Sequence, residues 1–114
     1  MVEYMTPAHI AVEMSDLPAL RDLLDQGVDV DEECNGMTLL QHAIDVEGDG
    51  HVQTGTPLHV DLTAYLLARG ADPLRRSTDF EQVTAEEMAR SYGHWLALAL
   101  FEAWKHRESR SSDL

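Results

Sequence analysis

The sequence is poor in cysteine and in basic residues, and each shortage excludes a class of protein. Cys34, the single cysteine, cannot form an internal disulfide or a thiolate cage for zinc, which fits a reducing compartment. Eight lysines and arginines stand against twenty-one acidic residues among 114, giving a net charge of −13. This charge repels nucleic-acid phosphates and attracts a cationic partner, so we expect no nucleic-acid binding.

Long apolar runs are missing too. The longest, from Trp95 to Phe101, is far shorter than the roughly 20 residues that a membrane-spanning helix needs, and the N-terminus lacks a basic region followed by an apolar one. We therefore expect no membrane partner and a cytoplasmic location. With 44% apolar and 25% charged residues the chain should fold, and we predict one domain at 1–108 with a flexible tail at 109–114.

Two phrases recur along the chain and interleave. A Thr followed five residues later by Ala occurs at Thr6, Thr38 and Thr84, and a Leu-Leu-x-x-Gly phrase ends at Gly27 and again at Gly70. Thr is a preferred N-cap of helices, and Gly readily adopts the left-handed conformation that ends them. Leucines at helical spacing lie between these marks, so each repeat is predicted to hold two short antiparallel helices.

These phrases resemble the ankyrin repeat, whose unit is a Thr-Pro-Leu-His opening, a helix pair, a Leu-Leu-x-x-Gly-Ala-Asp ending and an extended finger loop. Gly93-His94 falls where the family often has Gly-His, and the resemblance covers about residues 6–104. It implies an all-α solenoid of about three helix-turn-helix units with finger loops. The repeats are then predicted at 6–36, 37–83 and 84–106.

The second repeat is longer than the first. Thr38 to Gly70 spans 32 residues, against 21 from Thr6 to Gly27, and we predict that the surplus is a loop at 47–57. Three glycines in this stretch favour a loop. They are Gly48, Gly50 and Gly55. The phrase Thr56-Pro57-Leu58-His59 is interpreted as the start of the second helix or a short ordered turn, not as another repeat.

Catalytic and metal-binding motifs are absent from the sequence, so we expect no enzyme, no cofactor and no metal. Cys34 and His42 could act as nucleophile and base, but a lone cysteine in a finger loop is more often packed or incidental. His42, His51 and His59 surround the predicted insertion and could meet over a metal, although surface imidazoles are the commoner outcome. The ankyrin resemblance implies that His9 bonds neighbouring backbone instead.

The first finger loop is strongly acidic. Asp29 and Asp31 are expected to accept hydrogen bonds from backbone amides of the turn, whereas Glu32 and Glu33 have no such duty. Glutamates at the finger tip, together with acids on the inner helices, are predicted to form a strip that binds a partner, the alternative being a solvated charged face. The predicted partner-binding residues are Glu13, Glu32, Glu33, Met37, Asp45, Arg75, Arg76 and Tyr92.

The last helix carries aromatic residues with few charges between them. Core packing accounts for part of this pattern, and a surface patch or a self-association seam through Trp95, Phe101 and Trp104 accounts for the rest. A terminal repeat normally turns a polar face outward, so we expect something to cover this surface.

Three functions follow from these features. The first is non-catalytic binding of another, basic protein, as in small bacterial ankyrin proteins that the chain resembles, some of which act as immunity partners of toxins. The second is a structural or scaffold subunit that self-associates through the aromatic helix. The third, and weakest, is a metal protein or enzyme that uses Cys34, His42, His51 and His59.

Overall fold

The computed structural model describes residues 5–78 and 82–112. This part of the chain is mostly helical, as predicted, and it also contains one short two-stranded antiparallel sheet. In chain order the elements are α1 (Pro7–Glu13), α2 (Leu17–Asp25), β1 (Glu33–Cys34), β2 (Met37–Thr38), α3 (Leu39–Thr54), α4 (Asp61–Ala68), α5 (Ala85–Tyr92) and α6 (Trp95–Ser112).

The predicted threonine caps are confirmed at the start of α1, α3 and α5. The side chains of Thr6, Thr38 and Thr84 each accept a hydrogen bond from the backbone N–H three residues later, at 3.0 to 3.3 Å. The side chains of Gln41 and Glu87 return a bond to the capping residue's own N–H, which completes a capping box at α3 and α5. These short-range bonds fix where each helix begins.

The predicted glycine endings are confirmed as well. Gly27 follows α2 with φ of 105° and Gly70 follows α4 with φ of 101°, a region that side chains with a Cβ rarely adopt. The chain turns away from each helix at these points. The segment after Gly27 then runs into the hairpin, so the glycine sets where the first finger begins.

The helices pack in rows. Helix α1 packs against α2 and α3, α3 packs against α4 and α5, and α5 packs against α6. Their contact faces form a continuous apolar core made mainly of alanine and leucine, with Phe101 as its largest fully buried side chain. The core therefore links all six helices. Helix α3 contacts α1 on one side and α5 on the other, and these three, which we call the inner helices, meet the hairpin where β2 contacts α3.

The predicted loop at 47–57 is wrong for most of its length. Helix α3 continues through Gly48 and Gly50 to Thr54 and ends at Gly55, whose φ is 70°. Two glycines inside a helix cost about 1 kcal/mol each relative to alanine, a cost that sixteen helical residues with tertiary packing can offset. The surplus residues of the second repeat thus lengthen a helix, and the Thr56-Pro57-Leu58-His59 phrase precedes α4 without joining it.

The predicted tail also begins as helix. Helix α6 runs to Ser112, four residues into the segment 109–114, and residues 113–114 lie outside the described part of the chain. No proline or glycine follows Gly93 to interrupt it. None of the helices in residues 5–78 and 82–112 has the length and apolar character needed to cross a bilayer.

Candidate binding groove

A two-residue hairpin turn positions the first wall of the candidate site. Cys34 pairs with Met37 across the hairpin, and the turn between them has positive φ at both Asn35 (54°) and Gly36 (80°). Asn-Gly is the preferred pair for such a turn because both residues tolerate positive φ. This hairpin was not predicted above, although the sequence contains its Asn35-Gly36 signal.

Two adjoining cavities lie between this hairpin and the inner helices. Their volumes are about 340 Å³ and 210 Å³, and they share Asn35, Met37 and Asp45. We call the surface that they form the hairpin groove. The larger cavity is also lined by Gly36, Gln41, Ser77, Val83, Met88 and Tyr92. The smaller one is also lined by Met5, His9, Glu13, Cys34 and His42.

Asp45 and Tyr92 join the two sides of the larger cavity. The Tyr92 hydroxyl on α5 donates a short hydrogen bond to Asp45 Oδ1 on α3. Burial, and then the bond to Asp45, raise the pKa of Tyr92 well above its usual range, so the phenol stays a neutral donor. Its ring packs on Gly48, where a Cβ would lie 2.7 Å from Tyr92 Cγ. The glycine that sequence analysis assigned to a loop is thus needed for a close approach.

Ser77 lines the same cavity from the segment after α4. It is 3% exposed, and its hydroxyl is without a hydrogen-bond partner within residues 5–78 and 82–112. Burying a hydroxyl without a partner costs free energy, so such groups are rare in folded proteins. Ser77 is therefore a buried polar group of this cavity whose hydrogen-bonding capacity is unused within the described residues.

A chain of hydrogen bonds crosses the smaller cavity from α1 to α3. His9 Nδ1 lies 2.9 Å from His42 Nδ1, and His42 Nε2 lies 2.8 Å from Glu13 Oε1. The other His9 nitrogen, Nε2, lies 3.3 Å from the Glu32 carbonyl oxygen. The expectation that His9 bonds neighbouring backbone is confirmed by this last contact.

The short contact between the two Nδ1 atoms constrains where the rings carry their protons. It needs a proton on one Nδ1 and a lone pair on the other, because protons on both would set two N–H groups against each other. Burial lowers the pKa of His9; the bond to the Glu32 carbonyl opposes this shift, and His42 reinforces it.

The acidic residues of the first finger loop are less available to a partner than predicted, because they accept hydrogen bonds within the chain. Asp29 and Asp31 do accept from the backbone, from Asp31 N at 2.9 Å and from Asp72 N at 3.1 Å. Glu33 was expected to have no such role, yet its Oε1 accepts from both the backbone N–H and the hydroxyl of Thr78. The correction arises because the next finger loop packs alongside the first.

Glu32 and the two arginines lie outside the cavity linings. The Glu32 side chain accepts a short hydrogen bond from the Thr6 hydroxyl, so it also has an internal role that was not predicted. Arg75 is exposed, and Arg76 donates to the Gln82 carbonyl and to Glu87. Of the eight predicted partner-binding residues, four line the groove.

A second carboxylate, which sequence analysis did not select, is fully buried behind the groove. Glu47 accepts from the Thr63 N–H at 3.1 Å, from the Thr63 hydroxyl at 2.7 Å and from His94 Nε2 at 2.7 Å. Helix α4 has no side-chain cap of its own at Val60, so Glu47 supplies the missing acceptor from α3. Its role as described is structural.

The predicted histidine cluster does not form among the described residues. His51 Nδ1 contacts the Thr56 carbonyl oxygen, and both ring nitrogens of His42 are engaged by His9 and Glu13. Neither nitrogen of His42 is left to take a proton from Cys34, which lines the same cavity. In the described ranges, the group of three potential ligands whose atoms all lie within 4.8 Å of one another is Glu47, His59 and Asp61.

The predicted self-association seam is only partly at the surface. Trp95 is 65% exposed and Trp104 is half-buried, whereas Phe101 is fully buried. Including Phe101 in a surface seam was wrong, because its side chain is part of the buried hydrophobic core. Of the predicted seam residues, only Trp95, which is exposed, and Trp104, which is half-buried, reach the surface of α6.

No protein-family model matches the chain, and no curated protein matches it.

Proposed function

We propose that this chain is a non-catalytic protein-binding module of the ankyrin type, and that a basic partner protein binds in the hairpin groove. One observation carries the proposal. Four residues selected from the sequence as partner contacts, on four separate elements, line one continuous surface. They are Glu13 on α1, Met37 on β2, Asp45 on α3 and Tyr92 on α5.

The charge distribution supports a basic partner. Residues 1–61 carry thirteen acids and Arg21 alone among bases, a net charge of −12, whereas residues 62–114 carry eight acids and seven bases. The acidic half supplies Glu13 and Asp45 to the groove. A cationic protein would be steered toward this half at low ionic strength, and salt would slow the encounter.

In its finer form, the proposal is that the module acts in the cytoplasm as an immunity-type inhibitor. It would bind a basic effector protein and cover the surface through which the effector acts. Both the ankyrin-type fold and the inhibitory role rest on the repeat resemblance together with the groove.

A pull-down with charge-matched variants tests the proposal. The groove variant combines Glu13→Gln with Asp45→Asn, and the control combines Asp22→Asn with Asp25→Asn, two exposed acids on α2. Each removes two negative charges. We expect the wild type and the control to retain the same basic protein from extracts of the native host, and the groove variant to lose it. Equal retention by both variants would contradict the groove as the binding surface.

A second candidate is a structural subunit that self-associates through α6, which the exposure of Trp95 favours. Light scattering across a concentration series separates the two functions. A dimer that Trp95→Ser dissolves would support the structural function, and a monomer at high concentration would count against it.

A further inference from the structure

The larger cavity of the hairpin groove combines features that together favour one kind of side chain. Its volume is about 340 Å³, at the low end of the roughly 300–1,000 Å³ typical of ligand pockets. That space admits one long side chain, not a folded element. Its lining includes one acid, Asp45, and no basic residue.

Acceptors at this cavity outnumber the donors that satisfy them. Asp45 Oδ1 accepts from the Tyr92 hydroxyl, and among the described residues no further hydrogen bond engages Asp45 Oδ2 or the lone pairs of the Tyr92 phenol oxygen. The Ser77 hydroxyl is buried and unpartnered there. Gln41, by contrast, is already used, because its side chain bonds Thr38 N and the Val83 carbonyl.

Apolar groups line the rest of the cavity. Met37 on the hairpin and Met88 on α5 are flexible, polarisable side chains that adapt to an aliphatic stem, and Val83 adds a branched apolar side chain. An aliphatic stem with a cationic end would match this lining, since long basic side chains bury their methylene groups while the charge meets polar partners.

We propose that this cavity receives a lysine side chain of the partner, with its ammonium group bound to Asp45, Tyr92 and Ser77. The inference rests on the proposed function and names the chemical group that is recognised. Lysine fits better than arginine, because a guanidinium fork seeks both carboxylate oxygens and Tyr92 already occupies one of those of Asp45. An ammonium is a compact charge with three donors, equal to the three acceptors offered.

Methionine methyl signals provide a direct test. The protein is labelled with ¹³C-methyl methionine and titrated with acetyl-Gly-Gly-Lys-Gly-Gly-amide, with the norleucine peptide as an uncharged match and the arginine peptide as a third probe. We expect the lysine peptide to shift the Met37 and Met88 signals to saturation while the Met14 signal stays fixed. Met14 is 71% exposed and does not line the groove, so it serves as an internal control.

Two variants sharpen the test. Asp45→Asn keeps an oxygen acceptor for Tyr92 but removes the charge, and we expect it to weaken lysine-peptide binding by roughly tenfold. Asp22→Asn makes the same charge change on α2 and should bind as the wild type does. Ser77→Ala removes a hydroxyl that is unpartnered within the described residues, so we expect weaker peptide binding at a melting temperature equal to or above that of the wild type, a result that loss of fold cannot mimic.

Several outcomes would overturn the lysine assignment. These are equal shifts with the norleucine peptide, tighter binding of the arginine peptide, unmoved Met37 and Met88 signals, or an Asp45→Asn variant that binds like the wild type. If any of these occurred while the captured partner still depended on the groove in the pull-down, the lysine assignment would fail and the proposed function would stand. Loss of that dependence would overturn the function itself.

Discussion

Gly48 lies directly under the ring of Tyr92, so close that a Cβ at position 48 would fall 2.7 Å from Tyr92 Cγ. This contact joins the middle of α3 to the end of α5 and sets the position of the phenol that bonds Asp45. The larger cavity of the hairpin groove depends on that position. A glycine within a helix is here a requirement of packing.

Alanine at this position should therefore be harmful. Elsewhere in a helix, Gly→Ala stabilises by about 1 kcal/mol. We expect Gly48→Ala instead to lower the free energy of unfolding by about 1–3 kcal/mol, because the ring of Tyr92 must move. Gly50→Ala, on the same helix, is the matched control and should gain stability, because nothing in the described chain beyond its neighbours and its own helix backbone lies within 4 Å of the added Cβ. Urea denaturation measures both, and equal gains would disprove the packing argument.

Removing the buried carboxylate of Glu47 should be costly. Glu47→Ala leaves the Thr63 N–H, the Thr63 hydroxyl and the His94 Nε2–H without an acceptor and takes away the cap of α4. Because each buried unsatisfied group costs about 1–3 kcal/mol, we expect a loss of roughly 3 kcal/mol or more. Asp49→Ala, an exposed acid on the same helix, should change stability by less than about 0.5 kcal/mol. Similar losses in the two variants would refute the capping role.

Stability should fall in mild acid because of His9. Its pKa is lowered in the folded state, so the folded protein binds fewer protons than the unfolded one; the stability it contributes is complete above pH of about 6.5 and is lost as pH falls through the lowered pKa. The slope from one such group reaches at most about 1.4 kcal/mol per pH unit.

A comparison of variants isolates that contribution. Melting temperatures of the wild type and of His9→Asn are measured from pH 7.5 to pH 5. We expect the variant to be less stable at pH 7.5 but less sensitive to acid. His106→Gln removes an exposed histidine and should follow the wild type. Parallel curves for wild type and His9→Asn would show that His9 does not resist protonation in the folded state.

Two aromatic residues on α6 should behave in opposite ways. Phe101→Ala empties a fully buried site and is expected to cost about 3–5 kcal/mol, whereas Trp95→Ala removes a side chain that is 65% exposed and should cost less than about 1 kcal/mol. Denaturant unfolding compares them directly. A large loss for Trp95→Ala would mean that this tryptophan is covered in solution, as the self-association function requires.

The parts of the fold that sequence could predict are those fixed within a few residues. Thr6, Thr38 and Thr84 bond amides three positions away, and Gly27 and Gly70 need only their own backbone angles. Capping hydrogen bonds and backbone angles of this kind can be predicted from a short sequence pattern. The turn at Asn35-Gly36 is also fixed by local residues and could have been predicted in the same way.

The misjudged features depend on distant partners. Gly48 was assigned to a loop because the residue that it accommodates lies 44 positions away at Tyr92. Glu47 and His94 form a buried pair across a similar separation. Neither relationship leaves a local trace in the sequence, since the same residues would be equally compatible with a solvated loop or an exposed helix face.

The candidate site was predictable in composition and not in detail. Glu13, Asp45, Met37 and Tyr92 were selected and do line one groove. Their internal bonds, and the contributions of Ser77 and Met88, follow from the packing of fingers against inner helices. The sequence thus indicated four residues that lie on one face, while the folded structure shows which of their atoms are already engaged.

Hydrogen exchange on the complex with the captured partner tests the central claim most directly. We expect amides of residues 33–45 and 83–92, which border the hairpin groove, to exchange more slowly in the complex, while those of α2 stay unchanged. Protection confined to α2 or to α6, with the groove segments exchanging as in the free protein, would contradict the account.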